Sequence, residues 1–284
     1  MKYIGIGDNV VDRYVDRKIM YPGGNSVNFS VYVHELGEAS AYMGVLADDK
    51  EGLLIKESLL SLGVDISHCM LASGLGTERC DVNLSDGDRV FIGVDYGRKE
   101  HGKLKLDDEN LEILHGYDVI HSGCYADLED DIYKLRDNNA IKTYDFSSEY
   151  EFRGKEYLSK ICPYIDVALF SDTDSSYEEL IALKNECLDL GTKLILVTRG
   201  KDGQILFTSD DAEYDGVVKV IETVDTMGAG DSFFASFLIK LIDDGWTKGK
   251  SPDEKNIRNA LEFAAEFSAQ NCLRNGAFGF GTKY

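Results

Sequence analysis

A lone acid, Asp231, follows a glycine-containing turn in the stretch VDTMGAGDSFFASFL, residues 224–238. An apolar stripe at helical spacing comes directly after it, so a helix is predicted to begin near Asp231. Gly228 and Gly230 allow successive backbone N–H groups to turn toward one point, and the helix end adds positive potential there. Gly228, Ala229 and Gly230 therefore form a candidate site for an oxyanion such as a transferring phosphoryl group.

Two interpretations of Asp231, beside this anion site, are possible. As a catalytic base it would take a proton from an attacking hydroxyl, and the helix end would favour its ionised form near neutral pH. As an ordinary N-cap it would only satisfy backbone N–H groups. Spacing alone leaves both readings open, although a cap does not require two glycines at one and three residues before it.

A second polar group lies near the start of the chain, in PGGNSVNFSVYVHELG, residues 22–37. Gly24 precedes a predicted helix, and Asn25 and Asn28 project from its first turn. Short amides and carboxylates near the carboxyl end of a strand suit hydrogen bonds to several sugar hydroxyls. Ordinary turn and cap chemistry is the alternative for each residue taken singly. The residues that follow the first predicted strand are Asp8, Asn9 and Asp12.

Strand-like and helix-like segments alternate along most of the chain, which predicts an α/β fold with a mostly parallel sheet covered by helices. The predicted helices include 25–36, 51–62 and 177–190. The predicted strands include 2–7, 39–47, 118–121, 141–146, 167–170 and 194–198. A further strand, 219–224, is predicted to lead into the glycine turn.

Residues 80–94 break this alternation. Asp86-Gly87 is flanked by two segments in which polar and apolar residues alternate. This pattern predicts a β-hairpin with one exposed face. Residues 13–21 are predicted to add a strand. We therefore expect one domain over 1–284, with a small antiparallel lid formed by strands at about 13–21 and 79–97.

Composition excludes several classes of protein. The formal net charge of the 284-residue chain is −21, from 51 acidic and 30 basic residues, which argues against nucleic-acid binding. No stretch approaches the length of a membrane span, and no secretory signal is recognisable. The six cysteines show no paired spacing and are expected to be reduced. These features predict a cytoplasmic protein without a membrane partner.

The pairing of GGNSVN with DTMGAGD about 200 residues later resembles the ribokinase-like (PfkB) family of carbohydrate kinases. The resemblance implies a three-layer α/β sandwich with a β lid, and ATP-dependent phosphorylation of a primary hydroxyl with Mg²⁺. It also implies that Asp231 is the catalytic base, that residues 228–230 form the anion hole, and that Asp12, Gly24 and Asn28 contact the sugar. Asn9 is included as a candidate sugar contact.

Other family features fall in the second half of the chain. VTRGKDG is similar to the turn beside the nucleotide, which assigns Thr198, Gly200 and Gly203 to nucleotide binding. Many members carry Asn-x-x-Glu at the end of a central strand, where this chain has Ser-Asp-Thr-Asp; Asp174 is then the expected Mg²⁺ ligand, through a water. The resemblance further implies a monovalent cation such as K⁺ near Asp225 and Thr226, and a homodimer formed through the lid.

Segments of the first half, including IGDNVVDRY, GVDISH, DGDRVF and YDFSS, are similar to the fructoselysine 6-kinase branch of this family. The implied acceptor is a fructosamine phosphorylated at C6. Kinases of fructose, another keto-sugar or a nucleoside are alternatives within the class. A catalytically silent sugar- or nucleotide-binding regulator and an NAD-dependent oxidoreductase are alternatives outside it.

Overall fold

The computed structural model describes residues 1–85, 88–97 and 103–284, so the predicted Asp86-Gly87 turn lies outside the described residues. Within this part of the chain the α-helices are α1 (Asn25–Glu35), α2 (Lys50–Leu62), α3 (Asp108–Leu114), α4 (Lys155–Ile161), α5 (Tyr177–Leu190), α6 (Ala229–Asp243) and α7 (Glu254–Asn271). The strands are β1 (Lys2–Gly7), β2 (Val10–Tyr14), β3 (Ile19–Gly23), β4 (Ala39–Ala47), β5 (Met70–Ala72), β6 (Glu78–Ser85), β7 (Asp88–Asp95), β8 (Val119–Gly123), β9 (Ile141–Asp145), β10 (Val167–Ser171), β11 (Leu194–Thr198), β12 (Gln204–Thr208), β13 (Glu213–Gly216) and β14 (Thr282–Lys283).

The main sheet has the spatial order β13-β12-β11-β10-β9-β8-β1-β4-β5. The strands from β11 to β5 are parallel, and β12 and β13 extend the sheet antiparallel beyond β11. All the parallel strands therefore end at one edge of the sheet, where the loops that follow them meet. This edge carries the candidate site.

Helices cover both faces of the main sheet. In β11, Leu194 and Leu196 pack in the core cluster that holds α1, α6 and α7 side chains, whereas Ile195 and Val197 pack in the cluster of α4 and α5. Near-continuous apolar strands are typical of a parallel sheet buried on both sides. The three-layer α/β arrangement confirms the predicted fold class.

The lid is a second sheet with the order β14-β3-β2-β6-β7. The single strand predicted over 13–21 is wrong: Tyr14 pairs with Ile19 across a turn, and Lys18 adopts a left-handed φ of 54°. The lid is also not wholly antiparallel, because β2 and β6 pair in parallel. The C-terminal strand β14, which pairs antiparallel with β3, was not predicted.

The segment before the glycine turn also differs from its prediction. Residues 217–228, all of them described, form no strand. The backbone N–H groups of Val224 and Asp225 instead donate to the Cys272 carbonyl after α7. Helix α6 begins at Ala229, two residues before the predicted start at Asp231.

Candidate active site

The glycine turn is held tightly at Gly228 and is open at Gly230. Gly228 is the N-cap of α6 with φ 72°, and a Cβ there would collide with the Tyr32 hydroxyl. A Cβ at Gly230 would meet no atom within 4 Å. The Ala229 N–H closes the turn by donating to the Thr226 carbonyl at 3.1 Å. A ligand can therefore approach the helix end over Gly230, where no side chain intervenes.

Asp231 lies inside the first turn of α6, whose N-cap is Gly228, so the interpretation of Asp231 as the N-cap is wrong. Its Oδ2 accepts a 2.7 Å hydrogen bond from Asn28 Nδ2 of α1. Burial raises the pKa of Asp231 to about 7, the Asn28 bond opposes this rise, and the charges of Asp8 and Asp12 add to it. A carboxyl with such a pKa is poised to exchange a proton at neutral pH.

Asp12 lies in the lid strand β2, near Asn28 of α1, and both residues are buried. A Cβ at Gly23 would lie 2.8 Å from Asp12 Oδ2 and 3.8 Å from Asn28 Oδ1, so both side chains lie against this glycine. Asn28 Oδ1 has no hydrogen-bond partner within the described residues. Burial raises the pKa of Asp12 to about 7. Such a cluster of carboxylate and amide oxygens suits sugar hydroxyls.

Gly24 and Asn9 border the same cluster. Gly24 has φ 111° and is the N-cap of α1, and a Cβ there would lie 2.9 Å from Asn9 Cα and from Asp8 Oδ2. The Asn9 amide donates to Tyr42 Oη and to the Val45 carbonyl, both at 2.9 Å. Asn9 therefore joins the ends of β1 and β4, and its donors are used within the protein.

Three further charged residues reach this cluster: sequence analysis included Asp8 among the polar residues suited to sugar hydroxyls but gave Asp145 and Arg89 no role in the site. Asp145 ends β9, where its carboxylate accepts from Asn25 Nδ2 at 2.5 Å, and burial followed by the charge of Asp231 raises its pKa to about 8. Asp8 follows β1 and accepts from Ser26. Their position at the ends of parallel strands is the signal that sequence could offer. Arg89 comes from the distant lid strand β7.

The lid contacts the glycine turn directly. Arg89 Nη1 donates to the Thr226 carbonyl at 3.0 Å, and Thr226 Oγ1 donates to Asp88 Oδ1 at 2.8 Å. The positive charge of Arg89 also lowers the pKa values of Asp12 and Asp231 against the effect of burial. Strand β7 therefore brings a cation to the carboxylates of the cluster.

The predicted nucleotide-binding residues lie farther along the same sheet edge. Thr198 ends β11, and its carbonyl accepts from the Asp172 N–H at 2.8 Å. Gly200 has φ 55°, and a Cβ there would lie 3.4 Å from Thr173 Cγ2. Gly203 has φ 88°, and its Cβ would lie 2.7 Å from the Gly216 carbonyl. The local structure thus requires Gly203 for the β12–β13 pairing, whatever its contact with a nucleotide.

Asp174 is exposed on the turn after β10. Its neighbour Asp172 is buried, ion-paired with Arg153, and accepts from the backbone N–H groups of Asp174 and Ser175. Asp172 therefore holds the turn, and Asp174 faces solvent. Among residues 1–85, 88–97 and 103–284, no group of three or more His, Cys, Asp or Glu side chains is arranged to hold a metal ion.

Comparison with known proteins places the chain in a family. The sequence model of the pfkB family carbohydrate kinases matches residues 7–279. The chain belongs to this family of carbohydrate kinases. The family resemblance and the expectation of an ATP-dependent carbohydrate kinase are confirmed.

Curated members of the pfkB family include relatives similar over most of the chain. Fructosamine kinase FrlD of Bacillus subtilis (strain 168) is 33% identical over 285 residues, covering 100% of this chain and 95% of that protein. Fructoselysine 6-kinase of Escherichia coli (strain K12) is 32% identical over 246 residues, covering 86% and 88%. The solved structure of Arabidopsis thaliana ribokinase, complexed with ribose and ATP, shares the fold at a TM-score of 0.77 and 20% identity, covering 98% and 94%.

None of the helices in the described part of the chain is long and apolar enough to cross a membrane.

Proposed function

We propose that this pfkB-family kinase transfers the γ-phosphate of MgATP to the 6-hydroxyl of a fructosamine such as fructoselysine. The observation that carries the proposal is the 33% identity to a fructosamine kinase over the whole chain. The 32% identity to a fructoselysine 6-kinase over 86% of the chain supports the same acceptor. Phosphorylation of free fructose is the second candidate, since fructokinases are 27–28% identical over 90% of the chain.

In this proposal the acceptor lies between the main sheet and the lid. Asp12, Asn28 and Gly24 hold sugar hydroxyls, and Asn28 Oδ1, which has no partner among the described residues, provides an acceptor for one of them. The 6-hydroxyl lies against Asp231, whose carboxylate takes the proton as the oxygen attacks phosphorus. Such a base contributes roughly 10²–10⁴-fold to the rate. Positioning and charge stabilisation supply most of the remainder.

In this mechanism the glycine turn stabilises the negative charge on the transferring phosphoryl group. The open space over Gly230 admits the group to the start of α6, where backbone N–H groups and the helix dipole face it. Arg89 lies at the same turn through Thr226 and adds positive charge there. The lid that carries Arg89 excludes water when it closes, which strengthens these interactions.

The side chains present suit a magnesium ion that the nucleotide brings with it. Mg²⁺ keeps several waters and uses one or two carboxylates together with substrate phosphates. The exposed carboxylate of Asp174, beside the turn of Thr198 and Gly200, fits a contact through water. MgATP supplies the phosphoryl group, with Mg²⁺ neutralising phosphate charge.

A K⁺ ion beside Asp225 and Thr226 also remains a proposal. The Asp225 carboxylate is fully buried and accepts from Tyr14 Oη at 2.6 Å and from the N–H groups of Met227 and Gly276. A buried negative charge held by neutral donors favours a cation nearby. Dependence of the rate on KCl against choline chloride would test it.

A homodimer formed through the lid is proposed because β7 is an edge strand with exposed apolar side chains. This strand is the edge of the lid sheet, and Phe91 and Ile92 are each more than half exposed. An apolar edge strand is a template for pairing with another chain. Light scattering of the wild type and of Ile92→Glu tests this: a dimer that becomes a monomer supports the pairing, and a wild-type monomer contradicts it.

ADP release from MgATP across a panel of acceptors tests the proposed function. The panel contains fructoselysine, other fructosamines, fructose, ribose and adenosine, with Asp231→Asn alongside the wild type. Preferred turnover on fructosamines, lost in Asp231→Asn while ATP still binds, is the expected result. Preferred turnover on another sugar or on the nucleoside would overturn the acceptor, and full activity of Asp231→Asn would overturn the base.

A further inference from the structure

A pocket lies beside the proposed sugar-binding cluster of Asp8, Asp12, Gly24 and Asn28, where β1 and β4 end and the lid begins. Its lining includes Asp8 from the β1–β2 connection, Glu78 from the start of β6, Tyr96 just after β7, and Asp127 from the loop after β8. We call this the Asp8 pocket. Nothing in the phosphoryl-transfer mechanism above uses it.

Asp8 is common to the pocket and the sugar-binding cluster. Its Oδ1 accepts from the Ser26 hydroxyl at 2.7 Å and from the Ser26 N–H at 3.2 Å, so its donors are neutral groups. A Cβ at Gly24 would lie 2.9 Å from its Oδ2. Its charge raises the pKa values of both Asp231 and Asp145, which places it within electrostatic reach of the reaction centre. A ligand held by Asp12 and Asn28 can therefore extend past Asp8 into the pocket.

The charges of the pocket favour a cation. Among the described residues, its lining carries three carboxylates, Asp8, Glu78 and Asp127, and one ammonium group, that of Lys103. Lys103 is already paired with Asp127 at 3.1 Å. Unequal charges of this kind attract a positively charged ligand group and disfavour an anionic one.

The remaining walls of the pocket suit an aliphatic chain. They combine apolar side chains with two tyrosine rings, and the members are Val45, Ala47, Leu75, Leu104, Tyr96 and Tyr125. The Tyr125 hydroxyl is hydrogen-bonded to Ser147 Oγ at 2.9 Å, which fixes its ring. An alkyl chain that ends in an ammonium group matches apolar walls with an acidic rim.

We propose, on the basis of the proposed function, that the Asp8 pocket binds the amine and amino-acid part of a fructosamine, with the Asp8 carboxylate paired to the secondary ammonium group on C1. Every fructosamine carries this cation and fructose lacks it. The sugar then lies with its 6-hydroxyl at Asp231 and its C1 toward Asp8. The pairing gives the partly buried Asp8 carboxylate a charged partner, so it selects fructosamines over fructose.

The test measures affinity without ATP, by calorimetry, for two matched ligands. One is fructoselysine, and the other is its 1-O analogue, in which an ether oxygen replaces the amine on C1 and the amino-acid part is kept, so that only the charge at C1 is removed. A charged hydrogen bond predicts about 10- to 100-fold tighter binding of fructoselysine. Asp8→Asn should bring the two affinities within about threefold of each other, because the amide keeps the shape and removes the charge.

Asp137→Asn is the matched control, since the Asp137 side chain is 94% exposed and lies outside the pocket. It should keep the wild-type preference. Thermal unfolding and ATP binding establish that Asp8→Asn is folded. If it is not, Glu78→Gln replaces it and should weaken binding of fructoselysine more than binding of the ether.

The outcomes separate the two proposals. Wild-type turnover on fructose without turnover on any fructosamine contradicts the proposed function, and the subsite with it. Turnover on fructosamines combined with equal affinities for the two ligands in the wild type contradicts the subsite alone. A preference for fructoselysine that survives in folded Asp8→Asn assigns the ammonium group to another residue and also overturns the subsite.

Discussion

The side-chain amide of Asn28 donates a 2.7 Å hydrogen bond to Oδ2 of Asp231, 203 residues later in the sequence, and so joins the first turns of α1 and α6. The donor stabilises the ionised carboxylate, and burial opposes it with the larger effect. The pKa of Asp231 near 7 is the balance of these influences. Asn28 thus influences the protonation of the proposed base in addition to its proposed contact with the sugar.

Removing this donor should move the pH dependence of the reaction. In Asn28→Ala the pKa of Asp231 rises above about 7, so less carboxylate is present at neutral pH and kcat/KM falls. The acidic limb of the kcat/KM profile then shifts to higher pH, while activity recovers in part at high pH. Asn259→Ala, a change on the exposed face of α7, is the control and should leave the limb in place. An unshifted limb in Asn28→Ala would contradict the role of the bond.

The buried Asp12 carboxylate should cost stability at high pH. Its pKa rises from 3.8 to about 7 on folding, so the native state holds the proton more tightly than the unfolded state. The contribution of Asp12 to the free energy of unfolding therefore falls as pH rises between about 4 and 7, and it does not recover at higher pH. Asp12→Asn removes the charge, and its gain in unfolding free energy should be larger at pH 8 than at pH 5.

Urea unfolding at the two pH values measures this difference, with Asp137→Asn as an exposed control. Activity of Asp12→Asn should fall, since function keeps a carboxylate that stability disfavours. An equal effect of Asp12→Asn at pH 5 and pH 8 would show that the native pKa of Asp12 is not raised.

The contact between Arg89 and Thr226 should matter for catalysis more than for folding. Arg89→Gln loses the charge beside Asp12 and Asp231 and weakens the lid contact with the turn. We expect kcat/KM for the sugar to fall by about 10-fold or more, with the acidic limb moving to higher pH because Arg89 lowers the pKa of Asp231. Arg258→Gln on the surface of α7 serves as control. If Arg89→Gln had wild-type kinetics, the charge of Arg89 would have no role in catalysis.

Sequence predicted the glycine turn and the first turn of α1 because each motif is local. Spacing alone could not show that Asn28 contacts Asp231, or that Arg89 reaches Thr226, since both contacts depend on how distant segments pack. The family resemblance brought the two motifs into one site. It did not assign Asp145, which is a single acid at the end of a strand.

The errors in the predicted elements have similar causes. Residues 13–21 contain no glycine, and the turn between β2 and β3 relies on Lys18 in a left-handed conformation, which a lysine rarely adopts. Residues 219–224 have the alternation of a strand, but the backbone of Val224 is bound by Cys272 instead of by a neighbouring strand. Strand β14 has only two residues, too few to give a periodic pattern.

The two glycines of the turn should respond differently to the same substitution. In Gly228→Ala the new methyl group collides with the Tyr32 hydroxyl and lies 2.9 Å from Ala277 Cβ, in a backbone with φ 72°. Strain of this kind costs about 1–3 kcal/mol, so this variant should lose stability and activity together. In Gly230→Ala the methyl group meets no atom within 4 Å.

Gly230→Ala therefore separates folding from catalysis. Alanine within a helix is favoured over glycine by about 0.8–1.0 kcal/mol, so the unfolding free energy should be unchanged or slightly higher. The methyl group nevertheless occupies the space through which the phosphoryl group would approach the helix end. We expect kcat to fall by about 10²-fold or more, the loss typical of a disrupted oxyanion site. A stable Gly230→Ala enzyme with wild-type kcat would show that the phosphoryl group does not pass over Gly230.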